Sequence, residues 1–190
     1  MGPGKYKSRS DLDDAIAGLH ETGEILFAAV LTGELGVLAE PGLIRQFEGA
    51  LDHIHQAEHS LSEPRLVETV RALRADAAAL GDVIWPKGGG PIGPSGGSIL
   101  EERVKRAIVL CLAEVYADME ACLTLLIHMD RRVLGGGGER RQRLKRIATS
   151  KSMLQNMKPG DAVKLPASLR IANWLSSIQA WLSGKLAGGR

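Results

Sequence analysis

Apolar residues recur every three or four positions along most of the chain, which is the spacing of amphipathic α-helices. The first such stripe predicts a helix over about 11–32. Two further stripes, over 43–61 and 66–84, predict a second and a third helix. Because no alternation of apolar and polar residues with a period of two persists, no strand is expected.

Residues 86–98 contain six glycines and three prolines, a composition that disfavours both helix and strand and predicts a linker. The longest helix follows over about 99–134. Its apolar positions point in more than one direction, which is typical of a helix with neighbours on several sides. Its core seam is expected to consist of Val104, Ile108, Cys111, Val115, Met119, Cys122, Leu126, Met129 and Val133.

Several residues are of types that are common at the N-terminal ends of helices. Ser10 with Asp13 resembles a capping box for the first helix, and Ser98 with Glu101 forms one for the longest helix. Pro64 fits the first turn of the third helix, since proline lacks the amide hydrogen that is unpaired there. These signals set the expected boundaries of the helices.

The C-terminal part contains two more predicted helices. Four glycines, 135–138, precede a basic helix over about 139–157, and a last helix is expected over about 167–186. The chain is therefore predicted to be an all-α bundle of five or six helices with a long central helix at about 99–134.

This bundle is expected to have two parts joined by the linker. A three-helix segment over 1–85 precedes the linker at 86–98, and a helical segment over 99–190 follows it. The two segments are predicted to make one composite domain that self-associates, because a helix as apolar as the longest one needs cover on every side.

The composition indicates what kind of side chains form the core and in which cellular compartment the protein is expected. Hydrophobic residues make up 44% of the 190 residues but aromatic residues only 4%, so an aliphatic core is expected. Cys111 and Cys122 lie too far apart along one helix to bond to each other, which favours the reducing cytoplasm. No apolar run of about 18 residues is free of charges, so no membrane contact is expected.

Charge is strongly segregated along the chain. Residues 131–158 contain nine basic residues and one acidic residue, although the whole chain has 24 and 22. Guanidinium groups match phosphate oxygens and stay charged at any working pH. The segment therefore predicts phosphate contacts with RNA or DNA, made by Arg131, Arg132, Arg140, Arg141, Arg143, Lys145, Arg146 and Lys151.

Binding of this kind is expected to be largely independent of sequence, because 131–158 contains no aromatic residue for base stacking. Phosphate-directed binding without sequence preference is typical of a non-enzymatic structural or accessory protein, which is the function that the sequence predicts. In the alternative interpretation, the arginines pair with the acidic remainder of the chain or of a neighbouring subunit.

A second hypothesis concerns the last predicted helix. Trp174 and Trp181 lie one heptad apart with Ile178 between them, and the helix contains few charges. An apolar face of this kind could dock on a protein partner, which would make the protein an adaptor or scaffold subunit. An apolar face of this kind more often closes its own bundle or swaps into a neighbouring subunit.

A third hypothesis is a metal-binding bundle. Glu48, Asp52, His55 and His59 follow one stripe of the second helix, and imidazoles one turn apart can bind a divalent metal. Glu24, Glu114 and Asp118 could complete such a site. A solvated polar flank explains the same stripe, so no cofactor is predicted, and no catalytic motif is found.

Overall fold

The chain forms five α-helices and one 3-10 helix in the residues that a computed structural model of the protein describes, which are 3–86, 98–130 and 137–156. No strand occurs in those residues, so the predicted all-α class is confirmed. Residues up to Asn156 form one compact unit. The elements are α1 (Pro3–Thr32), the 3-10 helix η1 (Leu35–Ala39), α2 (Pro41–Ser60), α3 (Pro64–Ile84), α4 (Ser98–Asp130) and α5 (Gly137–Asn156).

The first four helices pack in a ring, α1 on α2, α2 on α3, α3 on α4 and α4 on α1. Arg9, near the start of α1, contacts both Glu63, which precedes α3, and Asp130, which ends α4. The starts of α1 and α3 therefore lie beside the end of α4, and α4 runs antiparallel to both. The fifth helix packs on α4 and also contacts α1.

Helices α2 and α3 follow their predicted stripes. Every predicted core position of α3, from Leu66 to Ile84, is buried, and the same holds for α2 from Leu43 to Ala57. The last predicted position of α2, Leu61, lies beyond the end of the helix at Ser60 and is only half-buried. Pro64 occupies the first turn of α3, as predicted. Beside this core, the buried carboxylate of Glu58 joins the two helices through ion pairs at 3.0 Å with Arg71 and 2.9 Å with Arg74.

The predicted start of α1 is wrong. The helix begins at Pro3 and runs through Ser10, which is exposed inside it and caps nothing. Asp13 pairs with arginines of α5 instead of capping α1. The helix extends because no residue of 5–10 stops it, and because Arg9 is held in place by two carboxylates.

The predicted seam of α4 needs revision. Ile108, Val115, Met119, Cys122 and Leu126 are buried as expected, but Cys111, Val104 and Met129 are only half-buried. The seam omitted three buried residues, Leu112, Tyr116 and Leu123. A helix that packs on α1, α3 and α5 buries more than one stripe.

The predicted limits of the C-terminal helices shift in part. Gly137 and Gly138 belong to α5 rather than to the glycine break before it. The predicted end of α4 at 131–134, most of the 86–98 linker and the helix at 167–186 lie outside the described residues. Self-association stays a prediction.

Within the described residues, one helix is long and apolar enough to cross a membrane by length and composition, the Arg9–Thr32 part of α1. Most of it is buried inside the bundle, and residues 25–30 are buried on every side. A central helix of a water-soluble bundle passes the same test, so this observation is weak evidence for a membrane.

Two aromatic residues, Trp85 and Phe47, hold the turn between α1 and α2 against the end of α3. The indole Nε1 of Trp85 donates a hydrogen bond of 2.6 Å to the carbonyl oxygen of Leu38, in η1. The Trp85 ring contacts Phe47 with a centroid distance of 5.1 Å. Phe47 also lies against Gly81, where an added Cβ would be 2.9 Å from Cε1 of the ring. A side chain at position 81 would therefore displace the Phe47 ring.

We expect Gly81→Ala to lower the free energy of unfolding by about 1–3 kcal/mol, because the new methyl group displaces the Phe47 ring. Gly49→Ala is the matched control, since nothing lies within 4 Å of an added Cβ there. This control should stabilise the protein by about 0.5–1 kcal/mol, because alanine favours the helix. Urea unfolding of both variants tests the pair, and equal effects would contradict the described packing.

Candidate functional site

The basic helix α5 lies against α1 and α4 and has little apolar surface of its own. Only Ile147 and Leu154 are buried on it, while Leu144 and Met153 are half-buried. Burial of two such side chains contributes about 3–6 kcal/mol before the entropic cost of ordering the helix. Other contacts must therefore fix its position.

Ion pairs supply these contacts at the start of α5. Arg140 donates to Asp13 of α1 at 2.9 Å and also to Asp130 of α4, and Arg143 donates to Asp13 at 2.6 Å. The two arginine side chains are only 13% and 16% exposed. Pairs this well covered are costly to break, because the remaining partner keeps an uncompensated charge.

Two further ion pairs continue along the helix. Nη2 of Arg146 donates to both carboxylate oxygens of Glu24 of α1, at 2.9 and 3.0 Å, and Lys151 pairs with Glu120 of α4. We call these contacts the ionic ladder. It consists of Arg140, Arg143, Arg146 and Lys151 on α5 with Asp13, Glu24, Glu120 and Asp130 on α1 and α4.

The ladder connects to the end of the bundle through Arg9. This arginine joins Asp130 at 3.2 Å and Glu63 at 2.5 Å, and it is itself buried. One carboxylate, Asp130, is thus shared between Arg9 and Arg140. Helices α1, α4 and α5 and the start of α3 meet in this network.

The ladder divides the predicted phosphate-binding residues into two groups. Four of the eight cations are paired with the protein's own acids, as the alternative interpretation of the sequence expected. Arg141 and Lys145 are exposed on the opposite side and form no ion pair with the described part of the chain. Arg131 and Arg132 lie outside the described residues.

Sequence reasoning missed the acidic half of the ladder. Asp13 was assigned to a helix cap, and Asp130 and Glu120 were given no role. The only signal was the charge imbalance itself, since the remainder of the chain has an excess of acids. Which acids face α5 depends on how α1 and α4 pack.

A buried polar cluster lies beneath the ladder. His20 is 3% exposed, its Nε2 lies 3.7 Å from a Glu24 oxygen, and no hydrogen bond satisfies that nitrogen among the described residues. Its ring contacts Tyr116, which is fully buried and whose hydroxyl would lie 3.0 Å from a Cβ on Gly23. Burial, followed by the nearby charges of Arg146 and Arg143, lowers the pKa of His20 to about 4.

Two carboxyl groups meet between α3 and α4. Burial, a hydrogen bond to Asp76 and repulsion from that carboxylate raise the pKa of Asp118 to about 6. Ionised, its Oδ2 atom has no donor among the described residues, whereas a protonated Asp118 can donate to Asp76. Burial and the charge of Asp118 also raise the pKa of Cys122 to about 12, so this thiol is a poor nucleophile.

The candidate metal ligands do not converge. Glu48, Asp52, His55 and His59 are all exposed on α2, where the two imidazoles stack edge to face at 4.6 Å. Arg74 approaches Nδ1 of His55 at 3.3 Å, which places a cation beside the proposed ligand.

The other candidate ligands lie on different helices, since Glu24 pairs with Arg146 of α5, Asp118 pairs with Asp76 of α3, and Glu114 is exposed on α4. No group of three or more potential ligands that could hold a metal forms within the described ranges. The predicted docking residues Trp174, Ile178 and Trp181 lie outside those ranges.

We expect Arg140→Ala to lower the free energy of unfolding by about 3–5 kcal/mol, because it leaves Asp13 and Asp130 short of a partner in a mostly buried site. Arg141→Ala, on the exposed side of the same helix, should change it by less than about 0.5 kcal/mol. Urea unfolding followed by circular dichroism compares the two. Similar values for both variants would show that the ladder does not hold α5.

We expect His20 to make stability depend on pH. Its pKa is about 4 in the folded protein and 6.5 in the unfolded chain, so protonation favours unfolding. Stability is fully present above pH 6.5 and falls by about 3 kcal/mol as the pH drops towards 4. Urea unfolding of the wild type and His20→Gln across this range isolates the effect, because the opposite contribution of Asp118 is common to both. A constant difference between them would contradict the prediction.

Comparison with known proteins gives no relative from which a role could be transferred. No protein family matches the chain, and no curated protein and no solved structure matches it. The functional argument therefore depends on the charges and the geometry of α5.

Proposed function

We propose that the protein is a non-enzymatic nucleic-acid-binding protein that contacts backbone phosphates through the outer face of α5. One observation carries this proposal. Arg141 and Lys145 lie one helical turn apart, are exposed, and have no acidic partner among the described residues. Cations that a protein leaves unpaired on a fixed helix are available to an external anion.

The ladder supports the proposal by fixing the helix. Its ion pairs occupy one side of α5 and direct Arg141 and Lys145 to solvent. Arg146 belongs to the ladder through its contact with Glu24, although 59% of its side chain remains exposed. Binding to cations held on a rigid element loses less conformational entropy than binding to a flexible tail.

The surface favours phosphates over bases. Arginine and lysine make contacts that carry no sequence information, and 131–158 contains no aromatic residue for stacking. With so few contacts, the dissociation constant is expected to be about 10⁻⁴–10⁻⁶ M at physiological salt and to weaken steeply as salt rises. Arg131 and Arg132 remain predicted phosphate contacts on the basis of the sequence alone.

The test is fluorescence anisotropy with a labelled single-stranded RNA of about 16 nucleotides, titrated over a range of salt concentrations. We expect the Arg141→Ala, Lys145→Ala double variant to bind more weakly and to lose about 1.4 from the log–log salt slope, because two phosphate contacts disappear. Titrations with labelled single-stranded DNA and duplex DNA of the same length show whether the affinity depends on the type of nucleic acid.

The matched control is Arg103→Ala, Arg106→Ala, which removes the same charge from exposed positions near the start of α4. It should leave the slope almost unchanged. If both variants lose the same slope, binding reflects overall charge and the assignment to α5 fails.

A second candidate is an adaptor that binds an acidic protein surface. The ladder favours it, because the arginines of α5 already pair with carboxylates in this chain. Absence of any RNA or DNA binding at low salt would remove the first proposal and leave this one.

A further inference from the structure

The ladder side of α5 has the same chemistry as the outer face, but carboxylates cover it. Arg140, Arg143 and Arg146 pair with acids of α1 and α4, and Arg143 also makes a longer contact of 3.7 Å with the exposed Glu139 of α5 itself. Guanidinium groups bind carboxylates and phosphates through the same two-pronged geometry. The acids therefore occupy the positions that phosphate oxygens would take.

We propose that Asp13, Glu24, Glu120 and Asp130 mask a second phosphate-binding surface on α5, and that nucleic acid competes with these carboxylates for the arginines. This inference rests on the proposed function and names a partner for the side of the helix that the outer-face proposal does not use. The masked surface consists of Arg140, Arg143, Arg146 and Lys151.

The length of the masked surface suits a polyanion. From Arg140 to Lys151 the cations span eleven residues, about 16 Å along the helix at about 1.5 Å per residue. One strand of a duplex carries a charge about every 3.4 Å, so several phosphates fit along it. A single carboxylate-bearing ligand would reach one or two of these cations only.

The attachment of α5 is suited to competition. It buries two apolar side chains, Ile147 and Leu154, whereas α3 buries six. The attachment of α5 therefore depends on ion pairs as well as on apolar burial, and a polyanion can replace the carboxylates in those pairs. A polyanion that approaches the ladder also repels the acids of α1 and α4, which favours their separation from α5.

The outer face provides the first contact. Arg141 and Lys145 are exposed on the opposite side of the same helix, so an RNA strand bound there is held within one helix diameter, roughly 10–12 Å, of Arg140 and Arg143. This proximity raises the effective concentration of phosphate at the ladder. Binding is thus expected to proceed from the outer face to the masked one.

The experiment compares two double variants with equal changes in charge. Asp13→Asn with Glu24→Gln removes carboxylates that pair with Arg143 and Arg146 and keeps the shape of both side chains. Glu48→Gln with Asp52→Asn is the control, since both residues are exposed on α2. Each is titrated with labelled single-stranded RNA of about 16 nucleotides across salt.

We expect the unmasking variant to bind more tightly than the control and to have a salt slope steeper by about 1.4, because two more cations reach phosphates. Circular dichroism of both variants tests whether they fold. Should the double variant unfold, Glu120→Gln, compared with Glu48→Gln, tests the same inference at the more exposed Lys151 contact. The expected increase in slope is then about 0.7.

The outcomes separate this inference from the proposed function. If the wild type binds RNA and the unmasking variant behaves like its control, masking is refuted and the outer-face proposal stands. If only the unmasking variant binds, the masked surface is real and the outer-face proposal fails. If neither binds, both are overturned.

Discussion

The position of α5 depends on carboxylates from two other helices that pair with its arginines. Asp13 and Asp130 lie on antiparallel neighbours, α1 and α4, so their side chains meet only when those helices pack in register. Arg140 bridges them, and Arg9 extends the contact to Glu63. Apolar burial on α5 is too small to determine the same position, since two buried side chains specify an orientation poorly.

The ladder also affects the protonation of a histidine that is buried between α1 and α4. His20 and Tyr116 place polar atoms in the core without a hydrogen-bond partner among the described residues, and Gly23 leaves room for the tyrosine hydroxyl. Arg143 and Arg146 lie close enough to oppose a positive charge on His20. The neutral imidazole is thus the form that the folded protein favours, because both burial and the ladder's cations disfavour the imidazolium.

The two sides of α5 have different physical roles although their composition is similar. On the inner side, guanidinium groups exchange water for carboxylates and hold the helix. On the outer side, Arg141 and Lys145 remain solvated. The count of nine basic residues in 131–158 therefore overstates the charge available to a partner, because cations contribute little to binding an external anion while their own carboxylates neutralise them.

Sequence by itself determined the helical class, the cores of α2 and α3 and the basic character of α5, since these depend on local periodicity and composition. It misplaced the start of α1 and omitted Leu112, Tyr116 and Leu123 of α4, whose burial depends on three neighbouring helices. The sequence also did not identify the acidic partners of α5. Asp13 and Arg140 are separated by more than 120 residues, and only the packing of α1 against α4 decides which charges meet. Electrostatic pairing acts over a few ångströms in space, whereas a sequence pattern records separation along the chain.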